Sequence, residues 1–279
     1  MDELHDFPTM GINSWMSEYI KSLPDLSGKI VVDIPCGDGR ASYEFQKKGA
    51  TIKALDLFPD FLKLKNIKAE YADLSDIIPV ENDSADYIVC QEGIEHIPNQ
   101  VRVLQEFNRI LKKGGILLLT TPNNSNLRAR LSFFLLESDY WKRIASTELD
   151  SIWFSRHETD KIYFGHLFLL GVNFLQSLAT VSGFRVIDRR KTNIEKSSLV
   201  LAFLYPIIVL VTFLSFFHYK KKNKNVDETK RKNILFERVK LNISLKTLFC
   251  KHMFWIMKKE CNLEETIKYL KDMTRSDEL

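Results

Sequence analysis

Val31-Val32-Asp33-Ile34-Pro35-Cys36-Gly37-Asp38-Gly39-Arg40 is the stretch that decides the fold. β-Branched residues run into a carboxylate. A turn with two glycines follows, and Arg40–Lys48 reads as a helix. Gly37 and Gly39 permit positive φ and a close approach of backbone to a ligand. The helix that follows begins with unpaired N–H groups. In open α/β sheets, ligands sit outside the carboxyl ends of strands built this way.

Working outward, short apolar runs alternate with helical stretches. Lys29–Ile34, Thr51–Leu57, Lys68–Ala72, Ala85–Cys90 and Ile116–Thr121 read as five strands. Asn99–Lys113 carries apolar residues near helical spacing and stops at Gly114-Gly115. The alternation predicts a parallel, doubly wound sheet, and fully apolar strands suit a sheet covered on both faces. Val172–Ser182 reads as a further helix and Phe184–Arg190 as a strand. The strand ends hold the polar groups. Asp56 ends the second strand about 20 residues after the turn, where a carboxylate accepts both hydroxyls of a ribose. Asp73 follows the third strand, placed to face an exocyclic amine of adenine. Gln91 and Glu92 close the fourth.

This set resembles the class I S-adenosylmethionine-dependent methyltransferases, over residues 25–125 closely and 165–190 loosely. D-I-P-C-G-D-G-R matches the family's first motif in the variant where Pro35 replaces the first glycine. A-L-D-L matches the second through Asp56, and Y-A-D-L the third through Asp73. Q-E-G-I-E-H-I and L-K-K-G-G-I-L-L-L-T-T-P-N match the two segments that follow. The resemblance implies a Rossmann-like sheet of seven mostly parallel strands, with S-adenosylmethionine as cofactor. Asp33, Pro35, Gly37 and Gly39 would hold its methionine end. Asp56 with Leu57 would hold its ribose, and Asp73 with Leu74 its adenine. Gln91 and Glu92 would line the reacting side. A nicotinamide dehydrogenase is disfavoured, because positions 35, 37 and 40 are Pro, Gly and Arg where G-x-G-x-x-G needs three glycines.

Two histidines are candidates for the base that takes the acceptor proton. His96 lies just past the fourth strand. His166 sits in Gly165-His166-Leu167-Phe168 ahead of the helix at 172. Glu95 reads as solvent-facing or structural. Tyr140, Trp141, Trp153, Phe154, Tyr163 and Phe164 are read as an acceptor lid or as the core of an irregular cap. No metal ligands are assigned. Cys36, Cys90, Cys250 and Cys261 form neither a C-x-x-C pair nor a disulfide framework, which fits a reducing compartment. The acidic start Met1–Asp6 has no apolar run of the signal-peptide kind.

The chain of 279 residues is 45% apolar and 27% charged, which excludes global disorder. Its net charge of +4 is uneven: the part before residue 127 is acidic and the remainder basic. The chain changes character at Ser197–Tyr219, 23 residues without Lys, Arg, Asp or Glu. Its heart, Leu199–Phe217, is long enough to cross a bilayer core of roughly 30 Å. Lys220-Lys221-Lys222, Lys224 and Lys230–Lys232 follow. Ile234–Phe249 is amphipathic and basic, His252–Lys259 reads as a strand, and Leu263–Met273 as a closing helix.

In the family, a last hairpin joins strands six and seven. If Phe184–Arg190 and residues 248–259 are those strands, residues 192–247 are an insertion whose ends share one side of any membrane. The expected organisation is therefore a core over 1–191, an apolar and basic membrane-associated insertion over 192–247, and the last strand and helix over 248–279. Leu199–Phe217 is expected to dip into the cytoplasmic leaflet, bent near Pro206, with 234–249 on the interface; a true span, a buried helix and an oligomer interface are the alternatives. The acceptor is expected to be a lipid-linked sugar or another amphiphile, as the C-terminal pattern resembles bacterial methyltransferases of cell-surface glycan assembly. The alternatives are a quinone, lipid or soluble small-molecule methyltransferase, and a non-catalytic scaffold. Nucleic acid is not an expected partner, and the oligomeric state is left open.

Overall fold

The computed structural model describes residues 11–139, 146–154, 160–222 and 228–274. Eleven α-helices and nine strands are found among them. The first half runs α1 (Ile12–Ser22), β1 (Ile30–Asp33), α2 (Arg40–Lys47), β2 (Thr51–Asp56), β3 (Ala69–Tyr71), β4 (Ala85–Gln91), α3 (Gln100–Ile110) and β5 (Leu111–Pro122). A cap follows, made of α4 (Leu127–Leu136), α5 (Glu148–Ser151), β6 (Ile152–Phe154) and β7 (Ile162–Phe164). The chain then forms α6 (Val172–Val181) and β8 (Phe184–Arg190). Next come α7 (Lys196–Val200), α8 (Tyr205–Lys222), α9 (Glu228–Ile243) and α10 (Leu245–Phe249), before β9 (His252–Lys259) and α11 (Leu263–Thr274) close the molecule.

The sheet has seven strands in the order β3-β2-β1-β4-β5-β9-β8. The first five are parallel; β9 is antiparallel to both β5 and β8. The seven-stranded, mostly parallel sheet expected from the sequence is therefore present. Successive strand residues serve opposite faces. Val31, Val89, Leu118 and Ile256 pack with Met16, Ile20 and Phe45 of α1 and α2. Val32, Ile88, Leu117 and Trp255 pack on the other face with Leu104 and Phe107 of α3 and Leu175 and Leu178 of α6. Full burial of such side chains is worth about 1.5–3 kcal/mol each, which fixes the register. α1 is a helix that the motif-led reading passed over.

The order β5-β9-β8 has a consequence for position. β5 and β8 both run toward the carboxyl edge of the sheet, and β9 starts there, with His252 opposite Pro122. Everything between β8 and β9 therefore leaves from and returns to that edge. An isolated bridge between Ile194 and Cys250 closes its base, and Asn123 Nδ2 donates to the carbonyls of Thr247 and Cys250, both at 2.8 Å. Within it, Pro206 does not bend a long helix. It sits in the first turn of α8, which follows a one-turn 3₁₀ segment at Leu201–Leu204. This is the position where a missing N–H costs nothing. The expected amphipathic run 234–249 is broken between Ile243 and Leu245, so α9 and α10 are separate helices.

Candidate active site

The turn after β1 is held from two directions. Asp33 Oδ2 accepts hydrogen bonds from Ser42 N (3.0 Å) and Ser42 Oγ (2.6 Å). Asp33 thus caps the start of α2 from a neighbouring strand, in place of a local N-cap. It is almost fully buried, and desolvation raises its carboxyl to about 7 against the pull of Ser42. Asp56 works on the turn itself: Oδ2 accepts from Gly37 N at 2.8 Å and Oδ1 from Phe58 N at 2.8 Å. Desolvation raises Asp56 as well, opposed by these backbone donors. Gly39 has φ 93°, and a Cβ there would lie 2.6 Å from Leu62. A Cβ at Gly37 (φ 51°) would meet nothing within 4 Å, so the backbone there faces open space.

A cavity of about 450 Å³ opens beside this turn. Pro35, Asp56, Leu57, Asp73, Leu74, Glu92 and His96 line it. Asp33, Gly37, Gly39, Gln91 and His166 do not line it. Asp33 faces α2, and the Gln91 amide donates to Asn13 of α1. Glu92, at φ 51°, turns its side chain so that Oε2 meets His252 Nδ1 at 3.0 Å, while Oε1 is buried with no partner among the described residues.

The cap supplies the roof. Trp153 of β6 and Tyr163 of β7 stack at 4.7 Å, and Phe58 packs on Trp153 at 5.4 Å. Trp153, Tyr163 and Phe164 line the cavity, so the lid reading of these three fits; Phe154 points outward, and Tyr140 and Trp141 lie outside the described residues. Lys161, just before β7, was missed by sequence reading. Its Nζ lies 2.5 Å from Asp73 Oδ2 and 3.0 Å from Asp76. Those two carboxylates raise the ammonium above its ordinary value despite desolvation.

The two histidines come together, with ring centroids 4.9 Å apart. His96 Nδ1 lies 2.8 Å from the carbonyl oxygen of Phe164, which also accepts from Trp153 Nε1 at 3.3 Å. A carbonyl only accepts, so Nδ1 carries the hydrogen, and in the neutral ring Nε2 is the basic nitrogen. Gln100 Nε2 donates to the carbonyls of Ile94 and Phe168, tying the loop of His166 to the turn of His96. Glu95 is fully buried, not solvent-facing: Oε2 accepts from Thr121 Oγ1 at 3.0 Å. Desolvation first, and the charge of Glu92 second, push it up to about 8. Ligand atoms of Glu95, His96 and His166 all lie within 4.8 Å of one another. Three groups at that reach can pass a proton or share one small cation, a grouping that sequence spacing did not reveal.

The residues present fit a donor with a ribose diol, an exocyclic amine and a cationic end. Carboxylates of Asp56, Asp73 and Glu92 face one cavity, Glu92 Oε1 is an orphaned acceptor, and space is open over Gly37.

Comparison with known proteins agrees. A family model described as a methyltransferase domain matches residues 13–188. A ubiquinone biosynthesis O-methyltransferase of Xanthomonas oryzae pv. oryzae is 29% identical over 127 residues, covering 42% of this chain and 53% of that protein. Its namesake in Psychrobacter cryohalolentis is 29% identical over 181 residues, covering 53% and 70%. The chain thus spans about half the length of the first of these relatives. A SAM-dependent methyltransferase from Archaeoglobus fulgidus superposes with a TM-score of 0.51 at 14% identity, over 89% of this chain and 93% of that one. At that identity the likeness is one of fold. The chain belongs to the methyltransferase-domain family, whose cofactor is S-adenosylmethionine.

Proposed function

We propose that this chain transfers a methyl group from S-adenosylmethionine to a hydroxyl of a quinone-type or similar amphiphilic acceptor at a membrane surface. The observation that carries it is His96. Its Nδ1 is committed to the Phe164 carbonyl, and its Nε2 is left as a base at the wall of a cavity roofed by aromatic rings. The bound donor supplies an activated methyl on a sulfonium. The residues of this chain do the rest. Asp56 holds the ribose hydroxyls, Asp73 the adenine edge with Lys161 across it, and Glu92 Oε1 accepts from the donor's ammonium end. Trp153, Tyr163 and Phe164 stack an acceptor ring and exclude water. His96 Nε2 takes the hydroxyl proton as the oxygen becomes nucleophilic. The resulting imidazolium is held in place through Nδ1. His166 stands beside it as the second candidate.

The relatives named for ubiquinone biosynthesis support the quinone-type acceptor, the sequence reading's alternative. They lend nothing to a lipid-linked sugar. The division into a core over 1–191, an insertion over 192–247 and a closing piece over 248–279 belongs to the same proposal. So do the cytoplasmic leaflet as location and the exclusion of nucleic acid.

The test is methyl transfer from radiolabelled donor into an extract split into lipid-soluble, soluble small-molecule and protein fractions. Label in the lipid fraction, resistant to acid release as sugar, is the expected result. Label released as sugar would restore the glycan acceptor. No label, with donor binding intact, would leave a scaffold.

A further inference from the structure

We propose that α4 and α8 form one bilayer-docking face, with α8 lying in the plane of the membrane beside α9 and not across it. This rests on the membrane reading above and deepens it. The helical stretch Lys196–Tyr219 is long and apolar enough to cross a membrane, and only 6% of its apolar window is buried. Its exposure is one-sided. Phe203, Ile207, Leu210, Leu214 and Phe217 are open and recur three or four residues apart, which is one helix face. The opposite side belongs to the protein. Leu204, Tyr205 and Ile208 pack on Leu127, Leu201 and Leu248, and Thr212 Oγ1 accepts from Asn242 Nδ2 of α9 at 2.8 Å.

α9 decides between plane and span. It packs alongside α8 and carries Arg231, Lys232, Glu237, Arg238 and Lys240. A crossing α8 would take this charged neighbour into hydrocarbon, where each charge is strongly disfavoured. A half-sunk α8 leaves α9 in water.

α4 is the second element, and nothing in its sequence separated it from the cap. It ends in Phe133-Phe134-Leu135-Leu136, all exposed, with Phe134 at 84%. Such a run on a soluble surface marks an interaction site. Arg130 of α4 donates to Asn242 Oδ1 at 2.8 Å, so Arg130, Asn242 and Thr212 tie α4, α9 and α8 together. The occupant is lipid by charge complementarity: the apolar helix runs straight into Lys220-Lys221-Lys222, which suits anionic headgroups. Position agrees. α4 leaves the end of β5, and the insertion leaves the end of β8, at the sheet edge that holds the cavity.

The experiment uses the full chain and vesicles of phosphatidylcholine with or without phosphatidylglycerol. Phe134→Ser and Leu214→Ser should each weaken sedimentation with anionic vesicles about tenfold, and the pair more, with donor binding and melting temperature unchanged. Wild-type binding by Phe134→Ser would remove α4 from the face. Nitroxides on Ile207→Cys and Leu214→Cys, in a Cys261→Ser background, should report equal shallow depths. A depth that changes steadily along the helix would overturn the in-plane orientation. A lipid-free dimer dissolved by Phe134→Ser, with no vesicle binding, would make the face a contact between copies. Turnover of a soluble short-chain quinol separates the two readings. No vesicle binding with turnover intact overturns docking alone; vesicle binding without turnover sinks the proposed reaction alone.

Discussion

The two ends of the cavity are built by opposite rules. At the donor end, the working groups sit within one or two residues of strand termini. Asp56 acts on Gly37 and Phe58, and Asp33 on Ser42, all through backbone donors nearby in sequence or one strand away. At the acceptor end, His96 reaches the carbonyl of Phe164, and Gln100 that of Phe168, each 68 residues on. The donor is an invariant molecule and can be held by a local turn. The acceptor end is assembled with a cap that arrives from far along the chain, so its chemistry is free to differ between members of one fold.

The comparison can be broken from either end. The largest expected effect is at the acceptor end. His96→Gln should lower kcat by roughly 10²–10⁴-fold while donor affinity, read by calorimetry, stays put. A drop in affinity of the same size would place His96 with the donor. Next, Asp56→Ala removes an acceptor from two backbone donors and, on the proposed reading, from the ribose, and should weaken donor binding by roughly 10–100-fold with the fold intact. Unchanged affinity would take Asp56 out of the site.

A smaller effect concerns packing where the two ends meet. A Cβ on Gly93 would lie 2.6 Å from Pro35 Cδ, so Gly93→Ala should cost about 1–3 kcal/mol in urea unfolding. The smallest concerns pH. Glu95 is raised in the folded state, so its contribution to stability is fully present below about 4.5 and is lost as pH rises through about 8. Glu95→Gln should flatten the decline in melting temperature between pH 5 and pH 8. An unchanged slope would mean that Glu95 ionises freely where it is buried.

The same difference explains what could be read in advance. The strand–turn–helix at 31–40 and the acidic strand ends were legible because each is a local pattern of period and punctuation; the pairing of β8 with β9 was expected only from the family resemblance. The direction of Asp33 was not, since nothing in its own segment says that Ser42 will claim it. Lys161 and His252 were invisible for a related reason. Each becomes part of the site only through a pairing between distant segments, β6 with β7 and β9 with β5. Of the two readings of Glu95, the structural one fits and the solvent-facing one fails, because an acidic residue beside a histidine looks solvated only in one dimension. Its burial depends on Thr121 arriving from the end of β5. α4 carries a mixture of arginines and aromatics with little periodic contrast, and only packing separates its covered side from its open tip.

The antiparallel placement of β9 has a further meaning for how such a chain can change over time. Its bond with β8 fixes two points side by side, clasped at Ile194–Cys250 and by Asn123. Whatever is threaded between them must come home to the same address. Lengthening a loop between fixed ends is cheap, roughly 0.6 kcal/mol per doubling. The hairpin is therefore a socket: a lineage can swap the module plugged into it without touching the register of the sheet or the turn after β1.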